Sequence, residues 1–535
     1  MLASVPDPTV LPAWHAALLA LPAAAAGLAA LACGPSRSDA AASRIVRGAL
    51  AVALVAALGS LAIACVGGRG TGFGLRADLA GGVVQVLVAF VGLAIARYGA
   101  TYLDGQPGRV RHARWLAATI AAVMGVVATD HLLVLALAWI ATGLALHRLL
   151  TFFGRRPAAV VAAHKKRIAG RIADACMLGA VALLYAAFDT VRIGELIARA
   201  AAEPGLPAAA QVAVVLVAVA ALLRCAQLPF HGWLIQVMEA PTPVSALLHA
   251  GVVNLGGFVL IRLAPLVAES LAAQALLVAV GTFTAVVAAL VTTTRVSIKV
   301  ALAWSTCAQM GFMLMQIGLG AWEMALLHLV AHSLYKAHAF LAAGGAVRTA
   351  TLARMAPAEG APGAGSILAG IAVAAVAVAV AAAAWRPWLH PTPTLATLAA
   401  IVVLALVPLG RPMAPGALAR TGLGALAVAL AWFGLHAALA GRIVPAGEPS
   451  APLWAIVAAG FATLFALQCA VQAAPRGALA STLYPWCYGG LFLDECVSRA
   501  AFRLWPPPEP AAPPAVAIPV SVRTPASAPS SGARR

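Results

Sequence analysis

A chain of 535 residues that is 63% hydrophobic and only 10% charged, with a mean hydropathy of +0.95, has too few polar side chains to clothe a water-facing surface. A soluble globular fold is excluded and the bilayer becomes its solvent. The net charge of +18 would suggest nucleic acid in a soluble protein, but in a membrane protein Lys and Arg gather in cytoplasmic loops, so no nucleic-acid partner is implied.

A spanning helix needs about 20 mostly apolar residues. Such stretches begin near Leu11, Ile45, Asp78, Trp115 and His131, then near Ile172, Ala208, Val244, Leu266 and Val300, and finally near Trp322, Ser366, Thr394, Pro415 and Leu453. The sequence therefore predicts an all-α polytopic membrane protein of about fifteen transmembrane helices. The opening MLASVPDPTVLPAWHAALLAL lacks the basic n-region of a signal peptide and is expected to be kept as a span. Loops after odd-numbered spans hold most of the basic residues, including Arg109, Arg111, Arg114 and the run Arg155–Arg171. That asymmetry places the N-terminus outside and the C-terminal tail in the cytoplasm.

Between the sixth and eighth spans the pattern changes. LLRCAQLPFHGWLIQVMEAPTPVSALLHAG, Leu222 to Gly251, carries Arg224, His231, Glu239 and His249 together with Pro229, Pro241 and Pro243. Proline removes a backbone donor and breaks a helix, so a helix over about residues 208–227 is expected to stop near Leu228–Phe230 and resume as HGWLIQVME. Broken backbone at this depth survives only when buried in protein or lining a cavity, and discontinuous helices are a transporter device. A charge there costs about 2.5–3.5 kcal/mol and by default marks an ion or proton route. Arg224 and Glu239 flank the break and are expected to pair as an electrostatic gate; the plain alternative is a satisfied ion pair with no further role.

Further on, HLVAHSLYKAHAFL spaces His328, His332 and Lys336 at i, i+4 and i+8, on one helix face, with His338 pointing elsewhere. Imidazole titrates near neutral pH and a buried ammonium loses its proton readily, so a wetted stripe of these groups can pass protons. Lys299, in VSIKVALAWST, either joins this line or extends its head to the cytoplasmic surface. His249 opens the span after the break and is expected to be the point of entry. Asp78, Asp130 and His131 fall at outer boundaries, His147 and Arg148 at an inner one, and all five are expected to be interfacial.

Residues 1–475 are read as the transmembrane domain. Residues 476–505, with Tyr484, Trp486, Tyr488, Phe492, Phe502 and Trp505 interleaved with charges, are read as an amphipathic interfacial segment. Residues 506–535 are Pro/Ala/Ser-rich and expected to be disordered. The eight cysteines include no CxxC pair, and no phosphate loop, dinucleotide fingerprint or HExxH occurs. No disulfide, metal or other cofactor is expected in this chain, and no enzyme activity of its own.

CAQLPFHGWLIQVMEAPTPVSALLHAG, SIKVALAWSTCAQMGFM and HLVAHSLYKAHAFLAAG resemble the proton-translocating antiporter-like family, which includes the large membrane subunits of respiratory complex I and of multisubunit sodium/proton antiporters. The resemblance spans roughly Asp78 to Gly345. It implies a bundle of inverted five-helix repeats with discontinuous helices and a central chain of titratable groups. Carried over by motif, His249, Lys299, His328, His332 and Lys336 become pathway residues. The chain departs from complex I members in four respects. Ile140 stands where their fifth span carries a glutamate after tryptophan, and Arg224 stands in place of a lysine. The lysine-bearing broken helix of the second repeat is absent, because Ser366–Trp385 has no ionisable side chain, and no long lateral helix follows the last span. A guanidinium is in effect never deprotonated, so Arg224 can supply a fixed field but not a relay.

With QVMEAPTPVSALLHAG, HSLYKAHAFL and LYPWCYGGLFLDE, the chain is most similar to membrane subunits of two-component inorganic carbon accumulation complexes of the bacterial inner membrane. That resemblance implies a cytoplasmic zinc-binding partner, similar to β-carbonic anhydrases, whose hydration of CO2 is made directional by cations, H⁺ or Na⁺, moving through the membrane subunit. The alternatives are a proton-pumping subunit of NADH–quinone oxidoreductase, a subunit of a multisubunit sodium/proton antiporter, and an inert scaffold for a cytoplasmic enzyme.

Overall fold

Hydrocarbon offers no hydrogen-bond partners, so backbone N–H and C=O groups within it must be satisfied inside their own helix or by other protein groups. The computed structural model describes residues 10–355, 363–408, 417–442 and 450–507, and is helical over most of them. The first half runs α1 Ala13–Ala32, α2 Asp39–Cys65, a β1 Gly70–Gly72/β2 Leu75–Ala77 hairpin, α3 Leu79–Tyr102, α4 Arg109–Ala128, α5 Leu132–Leu150 and α6 Pro157–Phe188. It continues with α7 Ile193–Ala202, α8 Ala208–Arg224, α9 Gly232–Gln236, α10 Thr242–Ala250, α11 Leu255–Arg262 and α12 Ala264–Ala268. Then follow α13 Leu271–Thr292, α14 Ile298–Gly318, α15 Trp322–Leu341, α16 Ala346–Met355 and α17 Ala364–Trp385. The chain closes with α18 Pro393–Leu406, α19 Ala417–Leu439, α20 Ala451–Ala473, α21 Ala478–Tyr488 and α22 Leu493–Leu504.

Helices stand at all fifteen positions where the hydropathy pattern places a span. Among the described residues, twelve are long and apolar enough to cross a membrane, α10 and α11 counting together, and α8 and α18 are shorter apolar helices. The fifteenth, α15, is 20 residues long but carries Glu323, His328, His332 and Lys336 along it. Three boundaries are corrected. Helix α2 begins at Asp39 rather than near Ile45 and α4 at Arg109 rather than near Trp115, so that Arg44, Arg47, Arg109, Arg111 and Arg114 lie in helices. The largest change is at α6. Helix α6 begins at Pro157, not near Ile172, so Lys165, Lys166, Arg167 and Arg171 belong to a helix rather than a loop. Proline at the first helical position, where its missing N–H is no loss, sets that start. Helices α21 and α22 occupy the expected 476–505 segment, while the tail beyond residue 507 lies outside the described residues.

Between membrane helices the driving force is close packing rather than the expulsion of water, and small residues permit it. Helices α13 and α14 meet at Gly281 and Gly311, where a methyl group on either would lie 2.6 Å from the other's carbonyl oxygen. The main core joins residues of α1–α15, with smaller cores between α17 and α19 and between α13, α14, α18 and α20.

One end of the bundle is tied by charge. Asp78 caps α3 by accepting from Gly81 N–H at 2.7 Å, pairs with Arg76 at 3.0 Å, and accepts from the buried guanidinium of Arg262, which also donates to the Val127 carbonyl at 2.8 Å. Asp130 adds an acceptor for Gly194 N–H at 3.1 Å. This network links the hairpin, α3, α4 and α11. Asp78→Ala strands Arg262, whose side chain is 2% exposed, and is expected to destabilise the protein by about 3 kcal/mol or more. The thermal midpoint of purified protein in detergent reads this, and the double replacement Asp78→Leu with Arg262→Met is expected to recover most of the loss.

Candidate functional site

The seventh predicted span is interrupted where the prolines place the break. Helix α8 ends at Arg224, residues 225–231 are irregular, with Ala226 at φ +52° and a cis Leu228–Pro229 bond, and α9 restores a single turn. The groups freed from the helical ladder find partners inside the protein. Leu228 N–H donates to the Thr284 hydroxyl at 3.2 Å, and the Cys225 thiol donates to the Val253 carbonyl at 3.0 Å. A second interruption, not anticipated, separates α10 from α11 at Gly251–Asn254, with Gly251 at φ −131°, ψ −70°. There the Asn254 amide donates to the Ala250 carbonyl at 3.2 Å and to Ser333 Oγ of α15 at 2.7 Å. Gly251 followed three residues on by Asn254 in an apolar run was the signal for it.

His249 on α10, together with His328, His332 and Lys336 on α15, forms one continuous electrostatic cluster. The His328 and His332 rings lie 6.0 Å apart at 21°, and His249 stacks on Phe340 at 4.4 Å. Lys336 donates to the Leu302 carbonyl at 3.0 Å and to Ser305 Oγ, both on α14. His249, His332 and Lys336 are 0%, 5% and 1% exposed. Both ring nitrogens of His249 and of His332 lack a protein hydrogen-bond partner. A polar group buried without one costs roughly 1–3 kcal/mol, so a set of them in an apolar core is a default functional site.

Lys299 lies at the start of α14, three and six residues before Leu302 and Ser305. Its ammonium donates to Thr242 Oγ1 at 2.8 Å, which donates in turn to the Tyr102 hydroxyl at 3.2 Å. It therefore continues the line of α14 contacts beyond Lys336 towards the helix end, away from His328. His338 is exposed. At the other end of α15, Glu323, overlooked in the sequence, is 3% exposed and accepts from Gly441 N–H at 3.2 Å.

The expected Arg224–Glu239 pair does not form. The short turn at 237–239 and Pro241 carry Glu239 to the surface, where it meets Arg156 at 3.3 Å. Arg224 turns the other way, into the protein. It donates to the Trp139 carbonyl of α5 at 2.7 Å, and its guanidinium carbon lies 4.5 Å from the centre of the Trp139 ring. Its neighbours are Asp174 and Lys166 of α6, and Lys166 donates to the Gly143 carbonyl at 2.5 Å. A methyl group on Gly143 would sit 2.9 Å from Arg224 Nη1 and 3.5 Å from Lys166 Nζ, so a side chain there would crowd both cations.

The buried cluster therefore holds one fixed cation, one amine able to lose a proton, and one carboxylate. Asp174 of α6, one helix on from Ile140 of α5, places a carboxylate beside Arg224. Lys166 and Asp174 are eight residues apart, on one helix face; that spacing was the signal, hidden because the basic run reads as a loop. Among the described residues no group of His, Cys, Asp and Glu is arranged to hold a metal ion.

A broken span beside an amine–imidazole stripe is the architecture of an antiporter-like membrane subunit, and residues 129–360 match the family profile described as NADH:quinone oxidoreductase/Mrp antiporter, TM. The chain is 38% identical to the probable inorganic carbon transporter subunit DabB2 of Halothiobacillus neapolitanus, across 79% of each chain. It is 52% identical to the probable inorganic carbon transporter subunit DabB of Hydrogenovibrio crunogenus, over 52% of this chain and 54% of that one; the matched region thus spans about half the length of that relative. NADH-quinone oxidoreductase subunit L of Mycobacterium tuberculosis is 33% identical over 52% of this chain and 44% of its own.

The fold is shared with a chain of the Mrp complex from a Dietzia species, at a TM-score of 0.57 and 24% identity over 92% of this chain and 57% of that one. The chain belongs to the DabB family of inorganic carbon transporter subunits, related to complex I subunit L and the Mrp antiporters.

Asp174→Asn leaves Lys166, Arg171 and Arg224 without their carboxylate (Arg171 Nη1 lies 3.8 Å from it). The variant is expected to lose about 3 kcal/mol of stability, seen as a lower thermal midpoint in detergent. Adding Lys166→Met restores the charge balance and is expected to recover most of that loss.

Proposed function

We propose that this chain is the cation-conducting subunit, with H⁺ as the ion, of an energy-coupled inorganic carbon uptake complex. The observation that carries this reading is the set of imidazoles without protein hydrogen-bond partners, His249 and His332, held beside Lys336 in the buried interior. Protons pass along α15 from His328 to His332, share the His249 ring alongside, reach Lys336, and leave by way of Lys299 at the start of α14. Each step joins imidazole or amine groups, side chains that can take up and release a proton. Arg224 contributes a fixed positive field across the break, and Lys166 is the amine beside it that can release a proton.

The N-terminus is placed outside and the tail in the cytoplasm of a bacterial inner membrane, in keeping with the excess of basic residues in the odd-numbered connections and the helix starts that follow them. The cytoplasmic partner is a zinc protein of the DabA type that hydrates CO2 to bicarbonate, and the cation gradient makes that hydration directional. Support for carbon transport over respiration comes from the relatives: 52% identity to a DabB subunit against 33% to a complex I subunit L, each over 52% of this chain.

The test is His332→Ala combined with Lys336→Ala, expressed with the zinc partner in cells that depend on bicarbonate uptake. Gradient-dependent uptake is expected to fall to the level of uncoupler-treated cells while the two subunits still co-purify. Wild-type uptake in the double variant would reduce the stripe to packing. Wild-type chain that co-purifies with a redox assembly instead of a zinc protein would move the reading to respiration.

A further inference from the structure

Helix α22 does not lie on the bundle as a simple surface anchor. Near its start, Asp494 reaches the broken span. The Lys165 ammonium donates to both its oxygens, at 3.0 and 2.9 Å; Gln236 of α9 donates at 2.8 Å; and Ser498 donates at 3.2 Å. The slot exists because residue 232, the first of α9, has no side chain: a methyl group on Gly232 would lie 1.5 Å from the Asp494 carboxylate. His231, at the break itself, interacts electrostatically with the same carboxylate, and its ring centre lies 4.7 Å from that of Trp304.

The rest of the segment is strapped down at several points. Arg295 donates to the carbonyls of Cys487 and Tyr488 at 2.5 and 2.6 Å, and the left-handed Gly490 packs against Trp304. At the far end His164 Nε2 lies 2.9 Å from the Trp505 carbonyl.

Two features separate this contact from an ordinary surface ion pair, which contributes little. Its side chains are only 11% and 22% exposed, and it grips α9, the single helical turn that directly follows the irregular backbone of residues 225–231. Lys165 is also the immediate neighbour of Lys166. One lysine faces the strap; the next faces Gly143 and the Arg224 field. The carboxylate is thus joined through one helix turn to the buried cation cluster and through Gln236 to α9.

We propose that Asp494 is a positioning residue, a latch by which the C-terminal strap sets the conformation of the broken helix and with it the rate of cation passage. This rests on the ion-conducting reading above. Movement of α21–α22 at that end of the bundle then changes conduction without any contact with the histidine stripe.

The test uses the full chain with Asp494→Asn, which keeps the shape and removes the charge, Gly232→Ala, which fills the slot, and the swap Lys165→Asp with Asp494→Lys. Hydrogen–deuterium exchange of residues 232–236 and 493–504 reads the latch independently of conduction. In both single variants exchange is expected to rise together in the two segments by roughly tenfold or more, as loss of charge-assisted hydrogen bonds demands, and the swap to restore it.

In vesicles with an internal pH dye, the H⁺ flux of the singles is expected to depart from wild type by a similar factor, again restored by the swap. Unchanged exchange in Asp494→Asn overturns the latch. Raised exchange with wild-type flux reduces it to a structural tie and overturns its positioning role. A wild-type protein that carries no H⁺ at all overturns the ion-conducting reading, while the joint rise in exchange still supports the mechanical link.

Discussion

The structure depends on the rule that backbone polar groups in hydrocarbon must find partners within the protein. A helix meets that demand by itself; a broken helix cannot, so each break needs neighbours. At the first break the Thr284 hydroxyl accepts from Leu228 N–H; at the second the Val253 carbonyl accepts from the Cys225 thiol and the Ala250 carbonyl from the Asn254 amide. The second interruption lies in the most enclosed span of the bundle, whereas the first is buried over Cys225–Leu228 and surfaces at Pro229 and Phe230. The same enclosure surrounds the charged groups, because protein that shields open backbone from lipid also shields an ammonium or imidazole.

The site is better described as two polar clusters than as one wire. The stripe on α15, with His249, contains groups whose protonation can change and whose ring nitrogens are unsatisfied. The α6 cluster contains an Arg that holds its charge, hydrogen-bonded to a carbonyl and stacked on Trp139, next to a lysine and a carboxylate that can vary. A fixed charge beside variable ones is a means of biasing proton occupancy by field rather than by transfer. With an arginine at position 224, the titratable groups in this region are Lys166 and Asp174 on the neighbouring helix.

The aromatic C-terminal segment has an apolar face suited to a membrane interface, and composition alone cannot distinguish a helix resting on lipid from one engaged with the protein. The distinction lies in a single glycine. Without a side chain at Gly232 the Asp494 carboxylate fits against the break; with one, it would not. The strap and the broken span then form one mechanical unit at one end of the bundle.

The sequence by itself determined the solvent, the helical class, the positions of fifteen spans, the prolines that break one of them, and the face shared by His328, His332 and Lys336. Each follows from rules of short range: hydropathy over about 20 residues, the missing proline N–H, and the 3.6-residue period. Only the tertiary structure decided which charges meet. It separated Arg224 from Glu239, paired Glu239 with Arg156, brought Asp174 and Lys166 to Arg224, and sent Asp494 to Lys165 across 329 residues of chain. Helix periodicity fixes the face a side chain occupies, but not which neighbour that face will meet; in an almost uniformly apolar bundle that choice falls to the packing of small residues and the direction the chain takes after a break.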